Sequence, residues 1–407
     1  MNKNSTIGIK TLSGGATVPA GFASAGVECG VRGAGDRDLG LLYSECPCVA
    51  AAVFTRNTVW GAPLAVTQGA IESGKFMRAV VVNSGNANAA TGVKGLEDAG
   101  EMQEIAAQAL GVEPREVAVA STGVIGEHLP MDKVASGIWR AAGELGPEDT
   151  PFAEAILTTD TRTKEAAVSV EVDGRLVTVG GTAKGSGMIH PNMGTMLAFL
   201  TTDAAVEPDT LRETLIEATD RTFNRVTVDG DTSTSDMALL LANGVVGNEP
   251  LTSGSPDHPA FAAAVESVAR TLAREIARDG EGASRLVEVV VEGAADEESA
   301  AALAKTVVGS SLVKTAVFGE DANWGRVLMA MGKSGVHFDP DRLKLWYGPV
   351  KVFDGAPVPH EVVEANAALA LGEVRITARL AEGDASATAW GCDLSYEYVR
   401  INGSYRT

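Results

Sequence analysis

The stretch Lys184–Val206, KGSGMIHPNMGTMLAFLTTDAAV, changes character at its middle. Up to Gly194 it is glycine, serine, proline and asparagine, the residues of loops and turns. From Thr195 it becomes a short apolar run that reads as a buried strand. Just upstream, KEAAVSVEVDGRLVTVGGTAKG reads as a hairpin: Val168, Val170 and Val172 alternate, and Asp173-Gly174 is a two-residue turn. Thr195 is then either an ordinary strand-opening residue or a chemical group held at the start of a strand.

Outward from this stretch, strands and helices mix. Helical spacing runs through GLEDAGEMQEIAAQALG and MDKVASGIWRAAGELG, each closed by a glycine suited to a helix C-terminus. VEPDTLRETLIEATDRTFN predicts a helix with Pro208 in its first turn, and HPAFAAAVESVARTLAREIARDG another. SRLVEVVVEG, SLVKTAVFG and EVRITARL read as strands, with a helix in ADEESAAALAKTV. VDGDTSTSD (Val228–Asp236) reads as a polar turn before a helix beginning near Ser235. Without a regular βαβ beat, the pattern predicts a layered α/β architecture rather than a barrel or a doubly wound sheet, with a softer boundary near Gly282.

The composition is that of a globular chain able to bury a large core: 407 residues, 45% hydrophobic, 21% charged, only 5% aromatic. The net charge of −20 repels phosphate backbones and anionic lipid, so neither nucleic acid nor membrane is an expected partner. The opening MNKNSTIGIKTLSGG has no apolar leader core, and the expected compartment is the cytoplasm. Cys29, Cys46, Cys48 and Cys392 lack the paired spacing of a zinc site and read as reduced thiols; no metal is expected.

Familiar motifs fail one by one. KGSGMIH carries His190 where a dinucleotide fingerprint needs its third glycine, and it leads into a strand instead of a helix. VDGDTSTSD carries Thr234 where a calcium loop needs glycine. Five scattered histidines and no G-x-S-x-G leave a serine triad unsupported. One nucleophile needs no histidine. A cut between Gly194 and Thr195 would give Thr195 a free α-amine, of pKa ~7.7–8.0, within reach of its own hydroxyl. Gly194 suits such a break because it tolerates strained backbone.

KGSGMIHPNMGTMLAFLTTDA resembles the signature of the ornithine acetyltransferase, or ArgJ, family of glutamate N-acetyltransferases. AAVFTRN, VVNSGNANAATG, STGVIGE, ILTTDT, NRVTVDGDTSTSD, DGEGASR, FGEDANWGRV and WGCDLSYEYVRINGSYRT match in order, over essentially the whole chain. The resemblance implies a layered α/β/β/α sandwich of the ArgJ/DmpA-like N-terminal-nucleophile type with a smaller C-terminal α/β domain. It implies self-cleavage into an α chain (1–194) and a β chain (195–407), the smaller domain spanning about 283–400, and an (αβ)2 assembly. Thr195 would be the nucleophile, Thr122 and Gly123 the oxyanion hole, and Thr161, Lys184, Thr195, Glu281, Asn402 and Thr407 the substrate contacts. The implied reaction moves an acetyl group from N2-acetyl-L-ornithine to L-glutamate by a ping-pong route, without a cofactor, and in some members acetyl-CoA also serves as donor. On charge alone, Lys184 suits a substrate carboxylate and Glu281 an ammonium.

Two other readings stay open on the sequence. An N-terminal-nucleophile amidase or aminopeptidase would resolve the acyl-enzyme with water instead of glutamate. A non-catalytic binding protein on the same scaffold would remain uncut.

Overall fold

The computed structural model describes residues 8–74, 76–190 and 196–404. In chain order its strands are β1 (Lys10–Leu12), β2 (Phe22–Val27), β3 (Leu39–Phe54), β4 (Met77–Asn86), β5 (Val117–Val124), β6 (Lys164–Val172), β7 (Arg175–Lys184) and β8 (Leu197–Thr202). There follow β9 (Val226–Thr227), β10 (Met237–Ala242), β11 (Leu286–Ala294), β12 (Lys344–Tyr347), β13 (Val350–Asp354), β14 (Glu373–Arg379) and β15 (Ala385–Cys392).

Asp173 and Gly174 both take positive φ (52° and 66°), which closes β6 onto β7 as the expected two-residue hairpin. That hairpin belongs to a nine-stranded sheet of order β1-β6-β7-β8-β10-β3-β4-β5, with β2 also on β3. Strand β3 serves two halves of it. Its first part, Leu39–Ser44, pairs with β2 and β4; its last part, Val49–Phe54, pairs with β10. Cys46-Pro47-Cys48 lies between, where the register with β4 shifts and proline has no N–H to give a ladder. Past this point the two halves face one another.

The alternation of side chains across each strand then makes three apolar layers. Leu197, Phe199, Met237, Leu239 and Leu241 meet Leu42, Val80, Val82, Ala118 and Ala120 between the half-sheets. Ala198, Leu200, Ala238 and Leu240 point the other way, onto helices Pro208–Arg221 and His258–Arg278. Ala79, Val81, Val117 and Val119 back onto helices Gly92–Leu110 and Met131–Gly143. Strands buried on both faces read as continuous apolar runs, as TMLAFL does. The result is a layered α/β/β/α sandwich.

Past Gly282 a second core forms. A six-stranded sheet, β13-β12-β14-β11-β15-β9, packs against helices Glu297–Val308, Trp324–Gly332 and Val362–Leu369 through Val289, Leu303, Val327, Leu345, Ile376 and Ala389. Strand β9 comes from the sandwich and pairs in parallel with β15, so the two cores share a ladder.

Three sequence expectations fail locally. MALLLA after Asp236 is a strand and not a helix, because each of its side chains is buried between layers. SLVKTAVF is the helix Ser311–Phe318: Val313, Ala316 and Val317 recur at helical spacing on its buried side. The helix over MDKVASGIWRAAGELG stops at Gly143, and Gly146 instead exchanges two backbone hydrogen bonds with Ser24. All four cysteines are free thiols. Among the described residues there is no cluster suited to a metal ion, and no single helix long and apolar enough to cross a membrane.

Candidate active site

A cavity of about 100 Å³ opens at the start of β8, lined by Met196 and Leu197, the residues after Thr195 in sequence. Thr122, Gly123, Lys184, Glu281 and Asn402 all line it, although they come from four separate segments of the chain. Gly194, Thr195 and Thr407 lie outside the described residues.

Thr122 and Gly123 stand near the end of β5, where its parallel ladder with β4 becomes irregular at Gly85 and Asn86. Gly123 has φ +133°, and a Cβ there would lie 2.3 Å from the Gly85 carbonyl carbon and 2.5 Å from the Asn86 nitrogen. Only glycine satisfies both constraints, so the strand end is built around this residue. Lys184, the last residue of β7, reaches across and donates from Nζ to Thr122 Oγ1 (3.3 Å) and Thr158 Oγ1 (2.7 Å). An ammonium only donates, so the Thr122 hydroxyl accepts from it and keeps its own proton to give. A polarised hydroxyl at a left-handed glycine is suited to negative charge developing on a carbonyl oxygen.

Burial pushes the Lys184 ammonium below the usual lysine range, while the Asp160 carboxylate, 4.0 Å away, favours its charged form. Asp160 is the hub of a buried chain of charges. Its Oδ1 accepts from Lys164 Nζ (2.8 Å) and from the Gly185 N–H (2.7 Å), and its Oδ2 from the Thr158 N–H (3.0 Å). Burial alone would raise its pKa; Lys184 and Lys164 reverse this and hold it below the ordinary carboxylate range. Lys164 continues the chain to Asp279 Oδ2 at 2.6 Å.

Asp279 in turn receives both the N–H (3.0 Å) and the hydroxyl of Thr161. Thr161 is therefore placed on the far side of this network, against an adjoining groove with Arg162 and Tyr396, and does not line the cavity. Its neighbours Thr158 and Thr159 do. All sit in ILTTDT, and sequence alone offers no signal to choose among three threonines around one turn.

The opposite wall is the loop after helix His258–Arg278. Ser186 donates to the Asp279 carbonyl (2.7 Å), and the Glu281 N–H donates back to the Ser186 carbonyl (2.9 Å). Gly187 makes room for the Glu281 side chain, since a Cβ on it would come within 2.3 Å of Oε1. Asn402 Nδ2 donates to Glu281 Oε2 (2.7 Å) from the C-terminal helix Tyr396–Ser404. The cavity thus has a cation on one side and an anion on the other.

One further group escaped the sequence reading. Asp236, at the end of TSTSD, lines the cavity almost wholly buried. His190 accepts no catalytic part: burial and the nearby Lys305 push its imidazole down to about 4, so it is neutral near pH 7, its Nδ1 3.0 Å from Thr227 Oγ1.

Residues 23–407 match the model of the ArgJ family. The chain belongs to the ArgJ family. An arginine biosynthesis bifunctional protein ArgJ of Symbiobacterium thermophilum is 56% identical over 97% of this chain and 99% of its own length. Its namesake from Bacillus subtilis is 48% identical over 98% of each. The crystal structure of the Bacillus halodurans ArgJ protein superposes with a TM-score of 0.51 at 46% identity, covering 52% of this chain and 100% of that one. The ArgJ relatives are enzymes, and so is this chain.

Proposed function

We propose that this ArgJ-family chain transfers an acetyl group from N2-acetyl-L-ornithine to L-glutamate for arginine biosynthesis in the cytoplasm, carrying it in between on Thr195. The chain first cuts itself between Gly194 and Thr195. The new α-amine takes the proton of the Thr195 hydroxyl, whose oxygen attacks the acetyl carbonyl. Thr122 and the Gly123 N–H face the oxyanion. Ornithine leaves, and glutamate takes the acetyl group in a second attack. Lys184 meets the substrate carboxylate, and Glu281, oriented by Asn402, meets the ornithine side-chain ammonium; Thr407 completes the substrate contacts, and Thr161, bonded to Asp279 outside the cavity wall, supports them from behind. Acetyl-CoA is a second acetyl donor to glutamate, and no resident cofactor takes part. The α and β pieces stay together and pair as (αβ)2, with residues from about 283 onward as the smaller domain.

The observation that carries this reading is the meeting, in one cavity at the start of β8, of Lys184 bonded to the Thr122 hydroxyl and Glu281 bonded to Asn402. The match of a complete solved ArgJ chain to only 52% of this one supports the cut, since either product of cleavage would be about half the chain. Intact masses of wild type and Thr195→Ala test it. Two fragments split after Gly194 are expected from the wild type, with the variant whole, and ornithine release from acetylornithine should require glutamate. An uncut wild type, or ornithine release without glutamate, would overturn the reading.

A further inference from the structure

Asp236 has features that no role so far accounts for. Its side chain is 2% exposed, lines the cavity, and its Oδ2 has no hydrogen-bond partner among the described residues. It is also firmly placed. The Asp236 carbonyl accepts the Thr55 N–H (3.0 Å), and the next residue's N–H, from Met237, donates to the Met196 carbonyl (2.9 Å). Asp236 is therefore pinned beside the start of β8, which lies two residues after Thr195 in sequence. The other ionisable walls of the cavity are occupied: Lys184 holds Thr122, Thr158 and Asp160, and Glu281 holds Asn402.

A buried carboxyl with a bare oxygen is costly as an anion and far less so as a neutral acid, which has a proton to give. Burial raises the Asp236 pKa well above the usual carboxylate value; Ser233, Lys184 on β7 and Thr55 oppose this without reversing it. Acetyl transfer between two amines calls for such a group. When the donor's C–N bond breaks, the departing nitrogen takes up a proton; when the acceptor's nitrogen forms its C–N bond, it sheds one.

Resting on the acetyl-threonine reading, we infer that Asp236 is a catalytic residue: its carboxyl gives its proton to the leaving nitrogen of the donor and regains one from the attacking nitrogen of the acceptor. The Thr195 α-amine meanwhile holds the hydroxyl proton and returns it when the ester C–O bond breaks. Each half-reaction balances, and both groups end the cycle as they began.

The test compares two donors with the processed enzyme, following acetylation of the β fragment by rapid quench and mass spectrometry. N2-Acetylornithine needs a proton on its leaving amine. p-Nitrophenyl acetate does not, since its aryloxide departs as an anion. Asp236→Asn is expected to lose roughly a hundredfold or more in acetylation by acetylornithine, yet to keep p-nitrophenyl acetate within about threefold. Equal losses with both donors, or no loss with either, would overturn the proposal. If Asp236→Asn does not process itself, the wild type decides. The acetylornithine to p-nitrophenyl acetate rate ratio, each rate taken at saturating donor so that the Lys184 effect on binding drops out, cancels the shared Thr195 amine and should fall as pH rises across roughly 6 to 9. A flat ratio overturns the role of Asp236 alone; a wild-type β fragment acetylated by neither donor overturns the acetyl-threonine reading beneath it.

Discussion

At the scale of single residues, the cavity's chemistry depends on charges kept where water would otherwise screen them. Lys184 is the clearest case. Because burial lowers its pKa, its ammonium loses the proton at a lower pH than an exposed lysine would, and the cation proposed for the substrate carboxylate goes with it. The KM for acetylornithine should therefore rise as pH climbs toward the lysine range. Asp160→Asn, which removes the carboxylate favouring the charged form, should move that rise to lower pH; KM measured across pH in both proteins checks it. Gly123 sets a different limit. Gly123→Ala drives a methyl into the Gly85–Asn86 backbone at a φ that alanine avoids. We expect kcat to fall by roughly 10²–10³, as when an oxyanion donor is displaced, and steady-state kinetics on the purified variant will show it. Lys184 and Glu281 were singled out only through the family resemblance; the link from Lys164 to Asp279 was not legible at all, because a hydrogen bond between residues 115 positions apart leaves no trace in local sequence.

At the scale of elements, close approach governs. Gly180 and Gly181 on β7 have no side chains, so the loop around Gly15 and helix His258–Arg278 can press on the strand; a Cβ on Gly181 would lie 2.5 Å from Leu200 Cδ2 and 3.2 Å from Leu272 Cδ1. Leu272 fills that contact and is fully buried. Leu272→Ala should cost about 2–5 kcal/mol of stability while leaving KM unchanged, as urea unfolding and kinetics would show. Elements with strong local signals were readable: the Asp173-Gly174 turn, the Pro208 helix start, the glycine stop at Gly111 in left-handed conformation. Short apolar runs were not. SLVKTAVF and MALLLA are each compatible with helix or strand, and only what covers them decides. Misreading MALLLA also hid Asp236, which a helix start would have turned toward solvent.

At the scale of the whole molecule, the net charge of −20 acts as a diffuse self-repulsion opposed by the two cores. Raising NaCl from about 0.02 to about 0.5 M should screen it and raise Tm, measured by calorimetry; an unchanged Tm would mean that local ion pairs such as Arg278–Glu373 compensate the excess. The layered class could be read from the order of elements. The partition of one sheet into two facing halves could not, because it turns on a change of partner and register within a single strand around Pro47.

The sheet order carries one more consequence. Strands β8 and β10 follow Thr195 in the chain, yet they lie between β7 and β3, which precede Gly194. The portions before and after that bond are dovetailed like interlaced fingers. Breaking the bond frees two new chain ends but no surface along which the pieces can part. To separate them, the β7–β8 and β3–β10 ladders must be unzipped from the middle of the molecule, so a chain cut there, as proposed, would be held together by the sheet itself.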